Sequence, residues 1–547
     1  ESESYMGIIK DSTLRMYNFT TGASVEFNDG TETSVTDDYL SGLRNDFQFI
    51  QEEEIGLILN KTVTVGMDTD SQAPGTIAGE VNTVAELPTI ENVNPGDIYI
   101  VRGISGAADD FVLIWDGQTW QETVIPGAYT RFDATTMPYQ IVRTDVNQFT
   151  FGAIDWEPRR TGIPGEGGGS RRSSFVGYSL KHMFFHKNRL GFLARDFVVM
   201  GQPVDFFNFW RLSSMTTSDA DPIDLIASST QEIRLFSTLG LTQGLLLFSE
   251  REQFVMTAGS NGVLTPGTAS IRSLSRLEMD SIIDPQLVGN EIVFTSNAPS
   301  YTRVFAMSTR GQNENPDFTD IGKIVSEWIP DGLDRLGSNS QNALIFLHGP
   351  DQSKIYFYRQ YQEGQQTLLK SWFKWDMAGT VQGMFTEQDQ IWCVLSANGR
   401  SHLLKGNINP TPTSATVVSE DGQLIVNPCV DFLSTPSSIT YDSSTQLSTI
   451  TFPFTVFTKT GWTPIAIQIT DPDNPAAAGA YWELTPADGN TFTVRANLTT
   501  SGLMSNIRVG YTYPYEIELP KLYYRFPDGR ADYTASLIVA REKFAMG

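Results

Sequence analysis

Cysteine is almost missing from this chain. Its 547 residues include two, Cys393 and Cys429, which excludes a disulfide framework and points to folding in a reducing compartment. The two form no CxxC unit, so a zinc site has no local support. Histidine is nearly as scarce, with four. His182 and His186 stand four apart, but Met183-Phe184-Phe185 between them lacks the glutamate of a zinc-protease motif and no third ligand is near. His348 and His402 are isolated. No apolar run approaches the roughly 18 residues of a membrane-spanning helix, and no signal peptide is visible. Positive charge is also short: 38 Lys and Arg face 63 Asp and Glu, a formal net charge of −25. A protein that grips nucleic acid places a basic face on the phosphates and releases counterions. This balance opposes tight DNA binding and remains compatible with DNA sliding past, or with plain solubility.

Signatures of catalysis are missing as well. The glycine-rich run at 165–169 lacks the GK[ST] ending of a phosphate-binding loop. No GxSxG nucleophile elbow occurs. Asp219, Asp221 and Asp224 cluster, and Glu52–Glu54 form a run, but a glycosidase needs two carboxylates about 5–10 Å apart with one pKa raised. Asp221-Pro222 reads as a turn opener and the glutamates as the polar turn of a hairpin. The expectation is no enzyme, no cofactor and no metal. Sequon matches at Asn18, Asn60 and Asn497 are read as chance.

What is present is a rhythm of apolar strand, polar turn, apolar strand: Tyr5–Phe19, Phe47–Val65, His182–Met200, Leu235–Thr257, Val288–Met307, Ala343–Arg359 and Val381–Leu404. Between Met183 and Gly383 the units return roughly every 40–55 residues, the interval of propeller blades. Runs such as Leu245–Phe248 are apolar throughout, as in strands packed on both faces. The fold class read from this is all-β: a β-propeller body with an inserted aromatic hairpin module and an inserted β-sandwich-like domain. Residues 1–69 form the first propeller segment and 70–130 the hairpin module, with a turn at Asp116-Gly117 between Trp115 and Trp120. Residues 131–410 hold the main blades. Residues 411–515, with Pro-rich turns at Pro410–Pro412 and Asp471–Pro475, form the sandwich. Residues 516–547 return to the propeller. Because residues 1–19 read as a hairpin in mid-fold and the strand-like run Ala535–Ala540 lies close to Gly547, incomplete ends are expected.

The loop Thr161–Ser174 reads as a flexible linker. Arg159, Arg160, Arg171 and Arg172 flank it and make the one locally basic patch, either a solvated linker with charged ends or a contact to a partner or passing DNA.

Several ordered words run through the centre of the chain: Ser174-Phe175-Val176-Gly177, Asn188-Arg189-Leu190-Gly191-Phe192-Leu193, Phe207-Asn208-Phe209, Asp221-Pro222-Ile223-Asp224, Phe248-Ser249, Glu252-Gln253-Phe254 and Ser371-Trp372-Phe373-Lys374-Trp375. On these words the chain resembles the tail tubular protein B, or nozzle, family of short-tailed bacteriophages, over residues 1–65 and 130–400 and more loosely over the insertions. The words also have a physical reading as scaffold. Gly191 would supply a turn while Leu190, Phe192 and Leu193 pack into adjoining sheets. Arg189 would tie a neighbouring loop, and Trp372 and Trp375 would pack between blades.

The resemblance implies a virion tail protein assembled in the host cytoplasm. It implies a sixfold ring of copies below an adaptor ring of the tail tubular protein A type. An axial channel would retain and then conduct genomic double-stranded DNA without sequence-specific binding. The flank would anchor tail fibres, and the distal end would meet the bacterial envelope. Residues 66–86 look shorter than the family's counterpart, and a family region beyond Gly547 is lacking, so no gate residue is assigned. The alternative is a propeller that binds or cleaves host polysaccharide through Trp115, Trp120 and nearby acids.

Overall fold

The computed structural model describes residues 3–517 with the strands Tyr524–Arg525 and Ala531–Asp532, leaving aside 29, 53–54, 104–109, 164–170, 242–243, 260–261, 309–315, 326, 351, 364–365, 409–416, 419–424, 427, 470–478 and 501–503. The glycine run at 165–169, the turns at Pro410–Pro412 and Asp471–Pro475, and the run Ala535–Ala540 lie outside the described residues. Among the described residues every regular element is a strand or a short 3-10 turn. All seven strand–turn–strand units read from the rhythm contain antiparallel pairs. The chain divides into two compact units, one of Glu1–Pro350 with Tyr356–Phe373, the other of Asp351–Ile355 with Lys374–Gly547.

The first unit contains a five-stranded sheet and, apart from Lys354–Ile355 and Lys374–Asp376 of the last one, four sequence-ordered four-stranded meanders. The five-stranded sheet sets Glu26–Phe27, Gln148–Ala153, Tyr139–Asp145, Ile55–Asn60 and Phe47–Glu52 side by side. Its strand Ile55–Asn60 pairs with Tyr139–Asp145, so the chain leaves this sheet after Asn60 and returns beside the strand it left. The first meander is His182–His186, Arg189–Ala194, Phe197–Met200 and Ile223–Ile226. The second is Leu235–Leu241, Gly244–Ser249, Gln253–Thr257 and Ser270–Ser275. The third is Gln286–Val288, Glu291–Asn297, Thr302–Ser308 and Asp317–Asp320. The fourth is Arg335–Asn339, Leu344–His348, Lys354–Glu363 and Gln366–Asp376.

Continuous apolar runs explain how these sheets pack. Arg189–Ala194 is buried along its whole length and Leu245–Ser249 likewise, so each strand presents apolar side chains to both faces and its sheet must be covered on both. One apolar cluster joins Leu193, Val198 and Met200 to Leu235, Leu247 and Phe254, from the first meander to the second. Another joins Leu246, Phe248 and Val255 to Ile292, Phe294 and Met307, from the second to the third. A third joins Val293, Val304 and Ala306 to Ile345, Leu347 and Tyr356, from the third to the fourth. The five-stranded sheet reaches the first meander through Gln48, whose side chain donates to Met183 O (2.9 Å) and accepts from Met183 N (2.7 Å). It meets the fourth through Arg44 and Asn45, which contact Asp334 and His348.

Residues 77–122 form more than the expected hairpin. Trp120–Glu122, Phe111–Trp115, Ile98–Val101 and Ile77–Val81 make a four-stranded sheet in that order, and its last pair is parallel. Ile98, Ile100 and Val112 form its core. Ile77–Val81 reads poorly as a strand because it is largely exposed and carries Gly79 and Glu80.

In the second unit, Thr380–Glu387, Gln390–Ala397 and Arg400–Asn407 form a three-stranded sheet. Two four-stranded sheets follow. One orders Asp431–Ser434, Ile507–Thr512, Thr463–Gln468 and Tyr481–Glu483; the other orders Ser438–Asp442, Leu447–Thr451, Thr491–Val494 and Thr485–Pro486. They share a core of Ile450, Phe452, Phe492, Val509 and Tyr511, as sheets do in a sandwich.

Candidate functional site

Polar side chains rarely sit inside a sheet core unless their bonds are met there, so the buried polar residues of the first meander mark its specialised part. Between Met200 and Ile223 the chain makes a long excursion, and Arg189 holds it. The buried guanidinium donates to Gly201 O and Asp221 O, both at 2.8 Å, and to Asp219 O at 2.7 Å. Asp221 is buried beside it and accepts from Ser218 N (2.9 Å) and Arg211 Nε (3.3 Å). Asn208 accepts from Trp210 N at 3.0 Å and receives Gln202 N on its carbonyl at 2.9 Å. Asp224 accepts from Ser174 N at 2.8 Å. Asp219, Asp221 and Asp224 are therefore committed to loop scaffolding: two accept backbone N–H bonds, and the third supplies a carbonyl to Arg189.

Below this loop lies an aromatic core. Phe175 is fully buried, with ring centroids 5.7 Å from both Phe192 and Phe209, and Phe132 stacks on Trp210 at 4.8 Å. Gly177 turns the chain at φ +90° and donates to Val65 O at 2.9 Å. Gly191 does not form the turn expected of it. The turn is Lys187-Asn188, at φ 50° and 56°, while Gly191 is paired mid-strand with Phe184. A Cβ there would meet the Phe184 ring at 2.3 Å.

The four arginines do not form one exposed patch. Arg160, Arg171 and Arg172 are exposed, and Arg160 pairs with Glu157 at 2.8 Å. Arg159 is only 2% exposed, with its guanidinium over the Trp210 ring. It cannot face a passing duplex. Trp372 and Trp375 also part company. Trp372 packs on Tyr358 and donates Nε1 to Ile321 O at 2.9 Å, joining the third and fourth meanders. Trp375 is 38% exposed and is not a buried wedge.

Trp115 and Trp120 are cross-strand partners with centroids 5.4 Å apart. Trp115 is buried, and Tyr99 meets Trp120 edge-on at 5.6 Å. Asp116 closes their turn, accepting from Gln118 N (2.7 Å) and Thr119 N (2.6 Å), and these backbone bonds hold its carboxyl below the usual range. The tryptophans pin the hairpin, Trp115 buried within it and Trp120 half-buried against it. Among the described residues no group of three or more His, Cys, Asp or Glu could hold a metal ion.

Sequence reading missed a polar cluster assembled from distant segments. Arg44 pairs with Asp334 at 3.2 Å and donates to His348 Nδ1 at 3.2 Å, while Arg335 donates to Arg44 O at 2.8 Å. Burial, then the charges of Arg44 and Arg335, push the His348 pKa down to about 3, so the ring is neutral and accepts. No local pattern could have found partners some three hundred positions apart. The sequon matches also have a local explanation: Asn18, Asn60 and Asn497 each accept from the backbone N–H two residues on, at 3.0, 3.0 and 3.1 Å, the bond of an Asx turn.

Comparison with known proteins carries the family. Tail tubular protein gp12 of Escherichia phage T7 is 29% identical over 291 residues, covering 52% of this chain and 36% of that protein; the chain thus spans about a third of that relative's length. Among solved structures, the computationally designed Ika8 protein gives a TM-score of 0.31 at 11% identity, over 74% of this chain and 93% of that one. Hsv2p of Kluyveromyces lactis gives 0.28 at 9%, over 66% and 96%. These scores are too low to carry a fold assignment. The family described as Bacteriophage nozzle protein matches residues 72–546, and the chain belongs to it.

Proposed function

We propose that this chain is a structural nozzle subunit of a short bacteriophage tail, without catalytic activity, and that the five-stranded sheet and the four meanders of its first unit close into a β-propeller. The observation that carries the reading is family membership over most of the chain. Propeller closure is supported by the succession of contacts: each sheet packs on the next, and Arg44 and Asn45 bring the fourth meander back to the five-stranded sheet. A propeller leaves only short, protected sheet edges, which suits a subunit that must stay soluble until it assembles.

In this reading, copies form a sixfold ring in the virion tail, docked on the adaptor ring, with tail fibres on the flank and the distal end toward the bacterial envelope. Assembly takes place in the host cytoplasm. Genomic double-stranded DNA passes through the axial channel. The acidic balance gives the conduit a mechanism, because like-charged walls leave no deep electrostatic trap for the phosphates, whereas Lys and Arg contacts would stall them in a salt-dependent way. Electron microscopy of the chain mixed with the adaptor ring of the same phage tests this. A sixfold ring docked end-on, with an acidic bore, is the expected result. A chain that stays monomeric where tails assemble, or a ring with a basic bore, overturns the conduit.

A further inference from the structure

Two arginines of the first unit are buried to the same degree, each 2% exposed, and they differ in one respect. Arg189 spends its guanidinium on three backbone carbonyls within 2.8 Å. Arg159 makes one bond, Nε to Thr161 O at 3.1 Å, and neither Nη1 nor Nη2 has an acceptor. Its neighbours repeat the deficit. The Trp210 ring, centred 5.5 Å from the guanidinium carbon, has a buried indole N–H with no acceptor, and the Thr161 hydroxyl is buried without a partner. Every unmet group here can donate, and among the described residues no carboxylate pairs with the guanidinium.

The backbone holds these donors in place. Arg159 N donates to Thr130 O at 2.7 Å, Trp210 N to Asn208 Oδ1 at 3.0 Å, and Gln202 Nε2 to Trp210 O at 2.8 Å. Burial pushes the Arg159 pKa down to about 10, and the charge of Arg172 adds to the shift. A buried, uncompensated cation is costly, and a buried donor left unmet costs about 1–3 kcal/mol. A cluster of them calls for a missing acceptor.

We propose that Arg159, Thr161 and Trp210 form a binding site for a small oxyanion, of the carboxylate or phosphate class, with Arg172 supplying a second positive charge. The planar guanidinium offers a two-pronged fork to two oxygens of one ion, and the indole and hydroxyl meet its remaining lone pairs. A DNA backbone is excluded by the enclosure of the guanidinium. The ion offsets the buried charge and thereby joins the aromatic core to the 201–222 excursion.

The test is thermal unfolding of the full chain in sodium phosphate, sodium acetate and sodium chloride at equal ionic strength and pH 7.5. Phosphate, acetate or both should raise the midpoint over chloride, by about 2 °C at ten times the dissociation constant. The favoured anion identifies the class. Arg172→Gln, at an exposed side chain, should fold normally and weaken the response. Arg159→Gln should abolish it. Equal midpoints in all three salts overturn the proposal, as does a rise that survives Arg159→Gln.

Discussion

The ring of Phe184 lies flat across the backbone of Gly191, its cross-strand partner, so that a Cβ on Gly191 would fall 2.3 Å from the ring. The arrangement recurs in the fourth meander, where Gly337 faces Phe346 and the corresponding distance is 2.0 Å. An aromatic ring that covers a strand glycine restores the packing the glycine lacks, and it leaves no room for a methyl group. Gly191→Ala should destabilise the chain by about 1–3 kcal/mol through overpacking, read as a lower urea midpoint. Adding Phe184→Leu to Gly191→Ala should recover part of the loss, and strict additivity of the two changes would refute steric coupling.

Arg189→Lys retains the charge and loses the fork. One ammonium cannot reach Gly201 O, Asp219 O and Asp221 O together, so at least one buried carbonyl loses its donor. A cost of about 2–3 kcal/mol is expected, with limited proteolysis appearing first between residues 201 and 222. Unchanged protease resistance would show that the excursion is held by other contacts.

The buried histidines make stability depend on pH in a defined direction. Burial pushes His182 down to about 4, and burial with Arg44 and Arg335 pushes His348 down to about 3. Both lie below the unfolded value of about 6.5, so between these limits the unfolded chain binds more protons. The stabilisation is complete above pH 6.5 and is lost as pH falls toward 4 for His182 and toward 3 for His348, by about 1.4 kcal/mol per pH unit for each ring. His348→Gln retains an acceptor for Arg44 and should flatten the decline between pH 6 and 4 in denaturant titrations. A slope equal to wild type would mean that His348 is not neutral in the folded chain.

Glu122 latches the 77–122 sheet to the excursion, accepting from Ser213 Oγ at 2.5 Å and Ser214 N at 2.7 Å. Glu122→Ala should speed amide exchange at Ser214 by at least tenfold, since about 1.4 kcal/mol of local protection corresponds to that factor. Global stability should change little. Exchange at the wild-type rate would show that Ser214 is protected by burial alone.

The strands were legible in the sequence where both faces are apolar, as in Leu245–Phe248, or where a polar turn splits two apolar runs. The Arg189 loop tie was legible too, because an arginine inside an apolar strand has few other uses. Gly191 was misread because glycine in a turn and glycine beneath a ring look alike until register is known. Arg159 and Arg160 are adjacent in sequence, and only tertiary packing decides that one turns inward onto Trp210. Trp372 and Trp375 raise the same question on a single strand. The parallel strand Ile77–Val81 carries too little apolar pattern to announce itself, and the Arg44–Asp334–His348 cluster has no local signal.

The excursion from Asn60 to Tyr139 has an engineering consequence. Because Ile58 pairs with Tyr139 in the five-stranded sheet, departure and re-entry points are about one strand spacing, 4.8 Å, apart. Within that span the 77–122 sheet has a core of its own and can be lengthened or exchanged without re-registering the host sheet, whereas Val65, Phe132 and Met137 at its roots belong to the aromatic core and must stay. What the 77–122 sheet displays is thereby uncoupled from the register of the strands that support it.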